Sequence, residues 1–387
     1  MSPVTLMIKE HVLPILMLVG AFLSLNHQRF DAPQFVTQQA LPVIEQQTHY
    51  KQFDVSVKLT NTVHSATAVT LANGNLLAMW YGGSREGHVD VKIYSALFDQ
   101  KKQQWQKPKA ILDRLQVSND LDRYVKKVGN PVLIRHPQGP LVLVYVSVSL
   151  AGWATSQINM MLSYDDGQTW HASKHLVTSP FINISTMVKN DAVIYKDGSI
   201  GITAYHELVG EFSEIVRVTL DGQVIDKYRM SSGDNTIQPT VATYNSLEAV
   251  SFMRDTGKEV QKVRRTATVD GGVNWTPYET TQLDNLSSAI FTFTGNKDRT
   301  WMVFNDAPKG QEHGRNTLAL AVSDDKGLNW ETVHHFERIE KPEVIESKFA
   351  YPWVAKGDEG QYHLFYTWNR KIIKHIAFNQ AWLESKS

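Results

Sequence analysis

Three short segments of this chain share one pattern, Ser/Thr-x-Asp-x-Gly-x-Thr/Asn-Trp: Ser163 to Trp170, Thr268 to Trp275 and Ser323 to Trp330. Recurrence at a fixed period limits a chain to stacked or circular architectures, because each unit must bury its apolar surface against its neighbours. Trp275 and Trp330 stand 55 residues apart, and Trp170 and Trp275 stand 105 apart, close to two such periods. The missing unit survives in reduced form at Thr219-Leu220-Asp221-Gly222, and a further one at Ser95 to Asp99 followed by Trp105. In each unit an Asp in a tight turn accepts hydrogen bonds from nearby backbone N–H groups. The Gly takes a positive φ, and the Trp folds back over the hairpin. Such a box staples two strands and performs no chemistry.

Between the boxes lie short runs rich in β-branched and aromatic residues, such as Leu141 to Val148, Ala249 to Met253 and Thr300 to Phe304, bounded by Gly, Asn or Asp. Four strands per period make a propeller blade. Five boxes mark five blades and leave a sixth to be closed by the two ends of the chain. The expectation is an all-β, six-bladed β-propeller over residues 55–380, preceded by an N-terminal apolar helix.

The 387 residues suffice for a core of that size. Lys plus Arg and Asp plus Glu both number 39. The formal net charge is therefore zero, which excludes a global field for nucleic acid, so attraction for an anion must be local. The absence of cysteine removes disulfides, thiolate metal sites and a Cys nucleophile. The histidines do not form a ligand pattern, since His171, His175, His334 and His335 fall in or just after the box hairpins; no metal or cofactor is expected.

Val12 to Leu25 is an uncharged apolar run of fourteen residues, with Lys9 before it. It suits a signal-peptide core better than a bilayer span of about twenty residues. Residues 1–31 are expected to be a signal peptide or membrane anchor, and residues 32–54 a polar spacer. The chain is accordingly expected to be exported, to the periplasm, to a membrane attachment through residues 12–25, or beyond the cell.

With three boxes at this spacing the chain resembles the sialidase (neuraminidase) superfamily, and most closely its bacterial sialidase-like branch with BNR repeats, over roughly residues 55–380. The resemblance implies a pocket for a sialoside or another acidic glycan. The family uses three arginines on the substrate carboxylate, an Asp acid/base, a Tyr nucleophile and a Glu that serves the Tyr. A neutral nucleophile suits a sugar whose carboxylate adjoins the anomeric carbon, because that carboxylate would repel an acidic one.

Carried over residue by residue, the likeness is partial. Asp90, in Arg85-Glu86-Gly87-His88-Val89-Asp90, matches the acid/base; the bland reading is a turn carboxylate capping N–H groups. Arg254 and Arg315 match the second and third arginines, and Tyr351, before Pro352, matches the nucleophile. The first arginine is replaced by His64, and the Glu by Gln238 before Pro239. Gln holds a hydroxyl but takes no proton, so another carboxylate serves the Tyr, with Glu346, Glu207 and Glu86 as candidates, or the Tyr is not activated. Arg85, Arg370, His64 or Lys189 can rebuild the third carboxylate contact. Tyr205, Lys189 and Asn130 stand near strand ends where loops converge.

These residues imply a sialidase-like, exo-acting, retaining glycosidase with Tyr351 as nucleophile and Asp90 as acid/base. The rival readings are a non-catalytic glycan-binding propeller at the cell envelope and a scaffold whose faces bind protein.

Overall fold

The computed structural model describes residues 32–37, 47–56, 59–233, 235–307, 315–339 and 348–386. Six antiparallel sheets follow one another along the chain and form the expected six-bladed propeller. Blade 1 spans Thr62–Thr70, Leu76–Gly83, Lys92–Asp99 and Gln104–Trp105, with Lys109–Asp113 added to the third strand. Blades 2, 3, 4 and 5 cover residues 127–175, 187–229, 236–284 and 291–338. Blade 6 is built from both ends of the fold. Its strands Phe349–Lys356, Gln361–Trp368 and Ile372–Asn379 are completed by Tyr50–Asp54, which pairs antiparallel with the last of them, Tyr50 opposite Phe378.

Each box joins the third strand of its blade to the fourth. Asp325 accepts from Ser323 Oγ, Leu328 N, Asn329 N and Asn329 Nδ2, at 2.8, 3.1, 2.8 and 2.6 Å. Trp330 Nε1 donates to Gly327 O at 3.0 Å, closing the hairpin. Blade 6 lacks a box for a topological reason: its third and fourth strands come from opposite ends of the fold, so no hairpin joins them.

The propeller begins before residue 55. Besides Tyr50–Asp54, Phe35 in the expected spacer is fully buried, its ring 5.1 Å from that of Tyr195, with Phe35 N donating to Ser246 O. The apolar run Val12 to Leu25 lies outside the described residues.

Polar bonds stitch all six blade junctions around the axis. Leu133 N donates to Thr67 Oγ1 between blades 1 and 2, and Asn130 Nδ2 to Val188 O between 2 and 3. Asn190 Nδ2 donates to Gln238 O and Pro239 O, Thr292 N to Thr240 Oγ1, Asn305 Nδ2 to Phe349 O, and Trp353 Nε1 to Ala68 O. A buried backbone group needs such a partner, and here the partner belongs to the next sheet.

Four innermost strands bulge at the same end. Register shifts fall between His64 and Thr67, Gly129 and Val132, Ile237 and Thr240, and Ala350 and Trp353. Each bulge contains a non-glycine residue at positive φ: Ser65 at 55°, Asn130 at 42°, Gln238 at 53° and Tyr351 at 57°. The last three precede proline, which has no N–H to give to the ladder and so marks a natural place for a residue to leave it. Backbone strain of this kind costs on the order of 1–3 kcal/mol per residue and persists where surrounding structure enforces it.

Candidate functional site

The bulges bring Gln238 of blade 4 and Tyr351 of blade 6 together across the axis, where Gln238 Nε2 donates to the Tyr351 hydroxyl at 3.0 Å. The same amide nitrogen lies 3.4 Å from the Tyr205 hydroxyl of blade 3. Arg254 Nη1 donates to Gln238 Oε1 at 3.1 Å. A guanidinium only donates, so Arg254 fixes which end of the amide is oxygen. The Gln238 NH2 group must then face both tyrosines. The Tyr351 oxygen is an acceptor there, and its own proton points elsewhere.

Arg254 and Arg315 meet on Ser287 and Ser288. Arg254 Nε and Nη2 donate to Ser287 Oγ at 3.2 and 2.9 Å; Arg315 Nη2 donates to Ser287 O at 3.1 Å and Nε to Ser288 Oγ at 3.3 Å. Among the described residues neither guanidinium makes an ion pair. Burial and then the neighbouring Arg254 hold Arg315 below its ordinary range. Lys189, 2% exposed, reaches from blade 3 to Pro352 O at 2.6 Å and Ile290 O at 3.4 Å, with Asn190 Oδ1 at 2.7 Å. Its ammonium lies 5.7 Å from the Tyr351 ring centroid, and burial, then Arg254, push its pKa well down.

His64, in the place of the family's first arginine, packs its ring on Tyr351 with centroids 4.1 Å apart, and its Nδ1 shares a hydrogen bond with Thr367 Oγ1 at 2.9 Å. Burial and then the charges of Arg370, Arg315, Lys189 and Arg254 push its pKa well below the usual range. Burial and the surrounding cations both oppose a charged imidazole here.

Arg370 comes from the closing turn of blade 6 and is paired with Glu86, in the loop after the second strand of blade 1. Glu86 also bonds the buried Tyr81, whose pKa rises through burial and then the Glu86 charge. Arg370 is held above its ordinary value because the bond and charge of Glu86 outweigh burial. Where the resemblance implies an arginine on blade 1 oriented by a Glu on the closing strands, this chain places the guanidinium on the closing strands and the carboxylate on blade 1.

The other expected residues lie further out. Asp90, its side chain 48% exposed, accepts from Ser84 N and Ser84 Oγ, both at 3.0 Å, and shares a bond of 2.7 Å with His88 Nδ1. Its slight burial raises its pKa, but the bonds from His88 and Ser84 win and hold it below the usual carboxylate range. Arg85 is exposed beside it. Glu207 follows the strand Ile200–His206; burial first and Glu211 second raise its pKa against the opposing charge of Arg254. Glu346 lies outside the described residues.

Sequence reasoning missed Ser287, Ser288, Tyr81 and Thr367. The signal for the serines is faint, a small polar pair just before the inner strand of blade 5. Tyr81 and Thr367 sit on the strands Leu76–Gly83 and Gln361–Trp368 and read as ordinary β positions.

A six-bladed propeller with arginines gathered beside a tyrosine at one end of its axis defines a class, the sialidase-like propellers. The profile of the BNR repeat-like domain matches residues 74–364, and the chain belongs to that family. No curated protein sequence is significantly similar to it. Among solved structures, the Hadza microbial sialidase Hz136 superposes with a TM-score of 0.66 at 17% identity, covering 83% of this chain and 66% of its own. This chain thus spans slightly less than two thirds of that protein's length. The NanB sialidase of Streptococcus pneumoniae has a TM-score of 0.66 at 10% identity, over 85% of this chain and 70% of its own. The intramolecular trans-sialidase of Ruminococcus gnavus has 0.63 at 12% identity, over 87% and 98%. A protein of unknown function from Dyadobacter fermentans matches equally well, with 0.66 at 11% identity over 85% and 99%. The shared feature at such identities is the fold.

Proposed function

We propose that the chain is a retaining glycosidase acting from the chain end on sialic acid or another sugar whose carboxylate adjoins the anomeric carbon, and that it does so outside the cytoplasm. The observation that carries this reading is the meeting of Arg254 and Arg315 on Ser287 with no carboxylate partner among the described residues. Two partly buried guanidiniums so placed form a receptor for a planar anion, which each can grip through two N–H groups. Arg370, oriented by Glu86, supplies the third guanidinium from the closing blade.

With the carboxylate held there, the anomeric carbon faces Tyr351. The phenolic oxygen attacks it as the glycosidic bond breaks, the leaving oxygen takes a proton, and water later reverses the covalent step. Asp90 is the candidate for both proton transfers, and to donate the first it must shed the His88 and Ser84 bonds that hold its pKa down. Gln238 orients the phenol but removes no proton, so the acceptor is another carboxylate. Glu86 and Glu207 are its described candidates, joined to the site through Tyr81 and Tyr205.

The test is release of fluorophore from α-ketosides of several acidic sugars by the wild-type chain and by Tyr351→Phe and Asp90→Asn. Loss in both variants is expected. Unchanged rates in Tyr351→Phe would overturn the mechanism, and saturable sugar binding without turnover in the wild type would make the protein a glycan-binding propeller.

A further inference from the structure

The axis has a second mouth. The innermost strands run from the bulged ends, where Tyr351 and Gln238 lie, to an opposite end that forms a half-open cavity of about 450 Å³. Every blade contributes to it: Thr70, Arg135, Asp191, Thr243, Phe293 and Lys356, in blade order. Lys189 crosses the axis from blade 3 to Pro352 of blade 6, and Asn190 ties blade 3 to Gln238 and Pro239. Together they cross the axis between this cavity and the end that carries Tyr351 and Gln238.

Asp191 and Lys356 face this cavity and act on each other electrostatically, yet no ion pair joins them. The Asp191 carboxylate accepts one hydrogen bond among the described residues, from Ala192 N at 2.8 Å. The Lys356 ammonium has one distant partner, Thr294 Oγ1 at 3.5 Å. The wall carries two further charges: Arg135, whose guanidinium lies 3.6 Å from Asp166, and the exposed carboxylate of Asp358. A carboxylate and an ammonium withdrawn from bulk water are costly unless each meets an opposite charge or a full set of hydrogen bonds. Among the described residues both are short of partners, and the cavity they line has room for a small molecule; ligand cavities start at roughly this size, about 300 Å³ and upward.

We propose that this chamber is a second ligand site, which takes a small zwitterion with its ammonium on Asp191 and its carboxylate on Lys356. A singly charged ligand would satisfy one group and leave the other as before. A zwitterion satisfies both and adds no net charge to the chamber. Burial supports this, since it pushes Asp191 up to about 7 and Lys356 down to about 8. Each group is close to losing its charge, and a matching ligand would restore it.

The experiment is calorimetric titration of the full chain with glycine, β-alanine and γ-aminobutyrate, and with propionate and propylamine as singly charged controls. At least one amino acid should saturate, with both controls at least tenfold weaker. Repeating the titration in buffers of different ionisation heat should show proton release on binding at pH 6.5, as Asp191 ionises, and proton uptake at pH 8.5, as Lys356 is charged. This signature is read on the wild-type chain and needs no variant to fold. Asp191→Asn and Lys356→Met should each weaken binding tenfold or more, and Arg254→Ala, at the other end of the axis, should leave it unchanged. Failure of all three amino acids to saturate, controls that bind as well, or loss of binding in Arg254→Ala would overturn the proposal.

Discussion

Replacing Gln238 by Glu tests the proposed chemistry where it is weakest. The amide stands 3.0 Å from the Tyr351 hydroxyl, on its donor side, and offers that hydroxyl no base. In Gln238→Glu one carboxylate oxygen keeps the Arg254 contact, 3.1 Å in the wild type, as a charge-assisted bond, while the other replaces the NH2 group beside Tyr351. Arg254, Arg315 and Lys189 surround the new charge, so the variant should fold with a change of about 1 kcal/mol or less, the usual scale of one exchanged hydrogen bond. A positioned general base is worth roughly 10²- to 10⁴-fold, or about 3–5 kcal/mol of barrier. The lower end applies because Glu is a weak base toward a phenol and because its partner Arg254 steadies its charge. Turnover of an acidic ketoside should therefore rise by about 10²-fold, most of it in kcat. Initial rates, together with the burst of the first turnover, separate formation of the covalent intermediate from its hydrolysis. If the variant folds and binds sugar as before yet turns over more slowly, the phenol is not the nucleophile and the amide is needed as a donor.

Three further outcomes follow from the geometry. Glu86→Gln should raise KM about tenfold and lower kcat little, because Arg370 loses the carboxylate that aims it but remains present; an equal fall in kcat would place Glu86 in the chemistry itself. Asp191→Asn should remove a pH dependence of stability. The folded-state pKa of about 7 lies above the ordinary 3.8, so the carboxyl's contribution is full below about pH 4 and is lost as pH rises through 7. Urea unfolding should show the variant gaining about 3 kcal/mol on the wild type between pH 5 and pH 8, from two pH units at ~1.4 kcal/mol each, and a constant gap would refute the assignment. Gly327→Ala should destabilise by at least 1–3 kcal/mol, because φ is 82° and an added Cβ would stand 2.2 Å from the Phe252 ring; a neutral effect on unfolding would show that this box does not hold its hairpin.

The architecture was legible because its determinants are local. A box declares itself within eight residues, and the spacing of boxes counts the blades. The steps Asn130-Pro131, Gln238-Pro239 and Tyr351-Pro352 were also visible, but that all three share an end of the axis is a property of the closed ring. The site was legible only where a family pattern gave residues a place, as with Arg254, Arg315, Gln238 and Tyr351. The pair of Arg370 with Glu86 joins residues 284 positions apart, and no local pattern encodes it. Lys189 reads as a strand-end residue and as one candidate for the third carboxylate contact; its reach across the axis to Pro352 O was not legible, because it depends on the four other blades being in place. The spacer was misread in part for a similar reason: Tyr50–Asp54 is too short and too polar to announce a strand, and it becomes one through the edge offered by Ile372–Asn379.

That edge has a consequence for how the molecule comes into being. The sixth blade holds both the earliest and the latest strands of the fold, so the ring stays open until the last strand exists, and closing it requires contacts between residues more than 300 apart, the kind that makes folding slow. The catalytic candidates straddle that seam, His64 and Glu86 on one side and Tyr351, Thr367 and Arg370 on the other. Arg254 and Arg315 belong to blades that do not take part in that closure, whereas the residues of blades 1 and 6 around Tyr351 meet only through it, so loosening the five-residue clasp would weaken the seam on which the completed cluster depends.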